Sequence, residues 1–505
     1  MVFQRRTRSP LAELALLVLA VSVGGCLGDD PIAGREDAVP VDVVTPDVAA
    51  ADADAGADGV SDAVSDPDPD GDADPNADAD PDAASDPDTA ADTATDTATD
   101  TATAADTATA PDTDTAADTD TAPDTAATPE DLPPADTSLL SGPPYLMWVT
   151  ETEVSVRWET TTPLIGRVDF GPTDALGQTL SEPSARRTHE LRLTGLAPGS
   201  VASYRVVYDG GALPVRHVRT APPDDDPRPL RFIVWGDNQN GPGTFSDLIP
   251  WMRAASDFDP DFALSVGDCV QNGTRAEYRS QLFVPLAPFA DEVPFLVAAG
   301  NHERYGDPDA ELFSEYLSQP GDEHCFGWRY GGLFVLFLDT DLGLDGATGQ
   351  RACVDAALSS PAARTARVRA AAFHKPPRVE WWFGGLLAFT NAMEAPWVRE
   401  DLEPLLESYG VDIVFNGHNH LYAYTPETEG GITWVTTGGA GGAIDTRGPF
   451  DIWRVGTWPE IAVTLHEFHF LRATLDGDEL HVEAVNVDGA VIHDFTVTGG
   501  HDGEE

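Results

Sequence analysis

"LRFIVWGDNQNG", residues 230–241, is an apolar run that ends on glycine and an aspartate. A strand apolar at almost every position is buried on both faces, so helices must cover its sheet. The same type of run recurs in "FALSVG", "PFLVAAG", "LFVLFLD", "VRAAAF", "VDIVFNG" and "ITWVTTGG". Between them, helical periodicity fits "TFSDLIPWMRAASD", "RAEYRSQLFVPLAPFA", "ELFSEYLSQ" and "APWVREDLEPLLESYG". Strand–helix alternation of this kind predicts an α/β domain. The tail returns to hairpins, with Asp476-Gly477 and Asp488-Gly489 as turns.

The residues at the ends of these runs point to chemistry. Five strand ends deliver "GDNQ" (Asp237, Gln239), "GD" (Asp268), "GNHE" (Asn301, His302, Glu303), "FH" (His374) and "GHNH" (His418, His420). Ligand sites in open α/β sheets gather at the carboxyl ends of strands. Two cations about 3.5–4 Å apart can activate water and stabilise both oxygens of a phosphoryl transfer. Their repulsion calls for a bridging carboxylate, a role Asp268 can fill, and for neutral imidazole or amide ligands around it. His418 and His420 alternate along one turn and can serve different metals. Glycines precede Asp237, Asp268, Asn301 and His418, where tight turns are expected. "TTGGAGGA" lacks the strand–loop–helix context and the lysine of a P-loop, and reads as a tight turn beside the metals.

Upstream, residues 142–221 are short alternating strands: "YLMWVT", "EVSVRWET", "GRVDFG", "THELRLTGL", "SYRVVYDG" and "PVRHVRT". They predict an all-β sandwich. The polar joint "APPDDDPRP" separates it from the α/β domain at 228–499. Residues 27–141 are almost only Asp, Ala, Thr and Pro, with about thirty acidic residues against Arg35. Such a segment buries too little apolar surface to offset its ordering entropy and is expected to be a disordered linker. It would act as a solvated spacer with a reach of about 60 Å, and it supplies over half of the formal −57 charge. That charge argues against nucleic acid as a partner. Residues 1–26 combine Arg5, Arg6 and Arg8 with a short apolar stretch and "VGGC". They read as a lipoprotein-type signal peptide with Cys26 as the lipidated residue, and hence an exported protein of a bacterial envelope or cell surface with a lipid anchor. Export allows a disulfide: Cys325 and Cys353 are the candidate pair, leaving Cys269 as a thiol.

The motif series resembles the calcineurin-like metallophosphoesterase superfamily over roughly residues 228–499. With "LTGLAPGSVASYRVVY", which resembles fibronectin type III modules, the arrangement looks most like purple acid phosphatases. The resemblance implies two mixed β-sheets flanked by helices and two metal ions, divalent or mixed-valence, drawn from Mn, Fe, Zn or Mg. It implies that Asp237, Asp268 and His420 hold the first metal, with Asp268 bridging to a second held by Asn301, His374 and His418. His302 would stabilise the transition state or protonate the leaving oxygen, oriented by an acidic neighbour, while a metal-bound hydroxide attacks phosphorus. Three departures stand out. Ala202 occupies the usual corner-tyrosine position, with Tyr204 two residues later. Gln271 stands where purple acid phosphatases carry a metal-binding tyrosine, so a coloured ferric site is not expected. Gln239 replaces the histidine most members carry; its amide oxygen is a harder donor, favouring manganese, magnesium or iron(II), with Gln271 or water as the other candidates for that place.

The expected activity is hydrolysis of a small phosphate ester, monoesters before diesters. Alternatives are a phosphodiesterase acting on nucleotides or phospholipid head groups, and a surface protein that holds metal or phosphate with little turnover. His189, His217, His324, His466, His469, His481 and His493 fall outside the motif series and read as strand or surface residues. Trp381 and Trp382 read equally as a roof over the substrate or as ordinary loop aromatics.

Overall fold

The structure is a computed structural model and describes residues 132–253, 258–321, 323–346, 349–381, 395–446 and 458–500. The signal with Cys26, the acidic linker up to residue 131, and Trp382 lie outside the described residues.

Two mixed sheets carry the α/β part. The first runs in the spatial order Val491–Thr498, Glu479–Asn486, His469–Asp476, Leu230–Trp235, Phe262–Ser265 and Phe295–Val297. The last three of these strands are mutually parallel, whereas His469–Asp476 joins Leu230–Trp235 antiparallel. The second sheet runs Phe326–Tyr330, Leu333–Phe337, Val368–Ala372, Ile413–Asn416, Thr433–Thr437, Tyr422–Thr425 and Val463–Leu465, with the four strands from Leu333–Phe337 to Thr433–Thr437 parallel.

The apolar runs explain the layering. Along Leu230–Trp235, Phe232 and Val234 face the core between the sheets, where they meet Val335, Phe337, Ile413 and Phe415. Ile233 and Trp235 face the other way, onto Phe245 and Leu248 of helix Pro242–Arg253 and Phe289 of helix Val284–Ala290. Phe334, Leu336 and Val414 likewise face a helical layer that includes Val354 of helix Arg351–Leu358 and Leu406 of helix Glu403–Ser408. Each side chain of this size contributes about 1.5–3 kcal/mol when fully buried. The Cys325–Cys353 disulfide is formed and Cys269 is a buried thiol, as expected. The bridge ties the start of Phe326–Tyr330 to helix Arg351–Leu358 across 28 residues, a loop length associated with about 3–4 kcal/mol of stabilisation.

The sandwich also forms, but its separation from the α/β part is smaller than the joint suggests. Its strands Leu140–Met147, Glu153–Leu164 and Arg186–Thr194 extend the first sheet to nine, because Met147 pairs in parallel with Phe295. Without that pairing Phe295–Val297 would be an open edge. The facing sheet contains Gln178–Ser181, Arg167–Gly171, Val201–Tyr208, Gly211–Ala212 and Arg216–Arg219. Aromatic side chains close the joint through their polar tips. Tyr145 donates to the Tyr316 carbonyl (2.7 Å) and Trp328 Nε1 to the Val149 carbonyl (2.8 Å). Tyr204, displaced from the corner position, donates to the Asp291 carbonyl at 2.6 Å. The residue that departs from the corner pattern therefore binds the neighbouring layer.

Candidate metal centre

Parallel strands place their carboxyl ends on one edge, and the ligand-type side chains collect there. Asp237 follows Leu230–Trp235, Asp268 follows Phe262–Ser265, and Asn301 and His302 follow Phe295–Val297. His374 follows Val368–Ala372, while His418 and His420 follow Ile413–Asn416.

Local backbone geometry shows how. Asp237, Asp268 and His418 are themselves left-handed, with φ of 60°, 53° and 67°. Side chains rarely adopt that conformation, at a cost of about 1–3 kcal/mol each, and such strain concentrates at functional sites. Hydrogen bonds hold it here. The Asp237 amide donates to the Gly267 carbonyl at 3.0 Å, and the His418 amide donates to both Asp237 carboxylate oxygens at 2.9 Å. The preceding glycines mostly provide clearance: a Cβ on Gly417 would lie 2.3 Å from Asp237 Oδ2, and one on Gly300 2.2 Å from Asp268 Oδ1. The turn at 438–442 is similarly close-packed, since a Cβ on Gly442 would meet the His420 ring at 2.7 Å.

Asp268 sits at the middle of the group. Its Oδ2 is 2.9 Å from His374 Nε2 and 3.8 Å from His302 Nε2, and its Oδ1 accepts the His302 amide at 2.9 Å. Donor atoms of Asp268, His374 and His418 all lie within 4.8 Å of one another. His418 Nδ1 is 3.2 Å from His374 Nε2. His420 points elsewhere, with Nε2 3.4 Å from Asp237 Oδ1. The two histidines of one turn thus serve two groups of donors. Carbonyls can only accept, so Val266 (2.9 Å) takes the Nδ1 proton of His374 and Ala443 (2.8 Å) that of His420. Both rings then turn Nε2 inward, the arrangement that outer-shell carbonyls impose on metal-binding imidazoles.

The charge balance fits cations. Burial opposes ionisation of Asp268, yet His374, His302 and His418 hold its carboxyl well below the usual range. Burial also opposes charge on His374 and His420, but Asp268 and Asp237 raise the first to about 10 and Asp237 raises the second to about 9. Buried carboxylates thus draw protons onto imidazoles, the compensation a divalent ion would otherwise supply. His418 moves the opposite way, pushed down by burial and by its neighbour His374. Asn301 adds a further sign. Its Oδ1 is buried and has no partner among the described residues, while its amide nitrogen donates to Tyr305. Buried oxygens are seldom left unpaired, and this one is free for a cation.

The calcineurin-like phosphoesterase family matches residues 230–422, from the strand before Asp237 to just beyond His420. Residues 230–422 are a calcineurin-like phosphoesterase domain. The chain is similar to Purple acid phosphatase 15 of Arabidopsis thaliana, 28% identical over 273 residues that cover 46% of this chain and 48% of that protein. It is also similar to "Probable inactive purple acid phosphatase 27" of the same plant, 25% identical over 223 residues covering 39% and 36% of the two chains. It therefore spans about half, or less, of these curated relatives. Among solved structures, the purple acid phosphatase PPD1 of yellow lupin (Lupinus luteus) seeds shares the fold, with a TM-score of 0.61 at 18% identity over 71% of this chain and 75% of that one.

Gln239 of the phosphoesterase domain is buried at the centre. With its oxygen turned to His420 Nε2 at 3.0 Å, its nitrogen donates to the backbone carbonyls of Asp237 (3.1 Å) and Asp268 (2.9 Å). That orientation satisfies both ends of the amide and leaves an oxygen donor beside His420. Gln239→His is accordingly predicted to retain activity while shifting metal preference toward zinc. Metal content and metal-dependent rates check this, and an unchanged profile would remove Gln239 from the ligand set.

Several supporting residues were not apparent from spacing. His302 is oriented by a carbonyl instead of the expected acidic neighbour: Nδ1 faces Gln271 O at 2.7 Å. Gln271 thus contributes through its backbone. Glu303 is fully buried and accepts from the amides of Asp268 (3.1 Å), Cys269 (2.7 Å) and Gly300 (2.8 Å), stitching two strand-end loops together. Burial, then the Asp268 charge, pushes its carboxyl up to about 8. Asp445 accepts from the His420 amide and the Asn419 side chain, both at 2.8 Å, which fixes the "GHNH" turn. Asn238 holds the carbonyls of Cys269 and Gln281 at 2.9 Å. The polar spacing of "GDNQ" and "GNHE" was the available signal, but only contact shows which amides these side chains reach. Trp381 is buried with Leu421 and Ala423, so its ring is part of a small core. The remaining histidines stay outside the donor group. His189 lies between Glu182 (2.8 Å) and Thr160 (2.9 Å), and His217 pairs with Asp174.

Proposed function

We propose that the chain is a metal-dependent phosphoric ester hydrolase that acts on phosphomonoesters through two metal ions. What supports this reading is the grouping of Asp268, His374 and His418, whose donor atoms lie within 4.8 Å of one another, together with His420 Nε2 3.4 Å from Asp237 Oδ1. Asp237, Gln239, Asp268 and His420 would hold one ion, and Asp268, Asn301, His374 and His418 the other. When bound, such ions supply Lewis acidity that activates water and neutralises phosphoryl oxygens. The chain's own contribution is position and proton transfer. Asp268 keeps the two donor groups in register, and the Val266 and Ala443 carbonyls fix the rings. His302, tied through Nδ1 to Gln271, directs Nε2 toward the site, where it can protonate the departing ester oxygen. The monoester preference is supported by similarity to Purple acid phosphatase 15.

Full-length protein loaded with manganese, zinc or magnesium is expected to hydrolyse aryl phosphomonoesters faster than the matching diesters. Faster diester turnover would move the assignment to a phosphodiesterase. Bound metal with no turnover on either class would favour the second reading, a metal- or phosphate-binding surface protein. Similarity to a relative named as inactive keeps that reading open.

A further inference from the structure

We propose that Tyr305 is a positioning residue, whose hydroxyl holds the Asn301 amide with its oxygen toward the metal site. The inference rests on the dinuclear reading and adds a residue to it. Asn301 precedes the 3-10 turn His302–Arg304, and Tyr305 closes that turn by donating its amide to the His302 carbonyl. The turn returns residue 305 over residue 301, where Asn301 Nδ2 donates to the Tyr305 hydroxyl at 2.9 Å.

The opposite end of the amide is the one that matters. Asn301 Oδ1 is buried and has no partner among the described residues. An asparagine amide has two ends of nearly equal size, but only the oxygen can meet a cation; the NH2 end would repel it. When a cation takes the oxygen, the nitrogen must face outward, and there the phenolic oxygen accepts from it and supports that orientation. Burial does not hold Tyr305 in place, since it is 60% exposed. Its ring packs against His302, with centroids 4.4 Å apart, so the same side chain touches both Asn301 and His302 of the "GNHE" loop.

The test is a double-mutant cycle read by manganese binding, using calorimetry on chelator-stripped full-length protein. Wild type is expected to bind two ions. Tyr305→Phe, which keeps the ring, should weaken one of the two by about tenfold and leave the other unchanged. A carboxylate has two equivalent oxygens and needs no such orientation, so Tyr305→Phe should cost nothing further in an Asn301→Asp background. Unchanged affinities in Tyr305→Phe would overturn the inference, and so would an equal loss in both backgrounds, which marks a general structural role. Wild type that binds fewer than two ions would overturn the dinuclear reading and this inference with it.

Discussion

Asp268→Asn is expected to lower kcat on the order of 10⁴-fold, about 5.4 kcal/mol in the barrier, and to deplete bound metal. The size of the effect comes from position. Asp268 Oδ2 lies 2.9 Å from His374 Nε2, and Oδ1 accepts the His302 amide, so one carboxylate is fixed against both the His374 ring and the loop that carries Asn301. Asparagine has nearly the same shape but removes the negative charge and can turn an N–H toward the imidazole. On the dinuclear reading, either change would weaken a bridge between cations, and both act at a buried position. Metal analysis, steady-state kinetics on an aryl phosphate and a melting curve test the prediction together. A folded variant that keeps its metal and its rate would show that Asp268 does not bridge.

His302→Ala is expected to leave metal content unchanged and to lower kcat by about 10²–10⁴-fold, the range of a single general acid. His302 is placed for that role by partial exposure, by the Gln271 carbonyl on Nδ1, and by an Nε2 that is 3.8 Å from Asp268 Oδ2. The decisive readout is dependence on the leaving group. A proton donor matters most when the departing oxygen is basic, so the loss should be greatest for alkyl phosphates and small for a nitrophenyl phosphate. A loss equal across leaving groups would instead assign His302 to charge stabilisation of the phosphoryl oxygens.

Much of the fold was legible because its signals are local. Along Leu230–Trp235, near-continuous apolar character announces a strand buried on two faces, and the structure sends Phe232 and Val234 one way and Ile233 and Trp235 the other. Asp476-Gly477 and Asp488-Gly489 announced the terminal hairpins, with Gly477 and Gly489 at φ of 60° and 76°. The candidate donors stood out for the same reason: each lies within a few residues of the end of an apolar run, at the edge where parallel strands place their ends. The lipid anchor at Cys26 and the linker up to residue 131 rest on composition alone and lie outside the described residues. Residues 132–141, expected to be the disordered end of that linker, are instead ordered: Pro134 bridges to Ala212, Thr137–Leu139 form a 3-10 turn and the first strand starts at Leu140.

Other features depend on residues distant in the chain. Tyr204 was visible as a departure from the corner pattern, but its partner, the Asp291 carbonyl, is 87 positions away. The pairing of Met147 with Phe295 makes one sheet from two sequence domains, and no local pattern encodes a pairing across that separation. Glu303 sat in view beside His302, yet the structure assigns it to three loop amides and gives His302 the Gln271 carbonyl. Residue type and periodicity were enough for the α/β class, the sandwich and the set of candidate donors. The folded chain was needed to show that His374 and His418 gather at Asp268 while His420 faces Asp237, which imidazole nitrogen faces inward, and that Gln239 carries an amide oxygen at His420. Periodicity fixes which face a side chain occupies, whereas its hydrogen-bond partners depend on where separate strand ends meet.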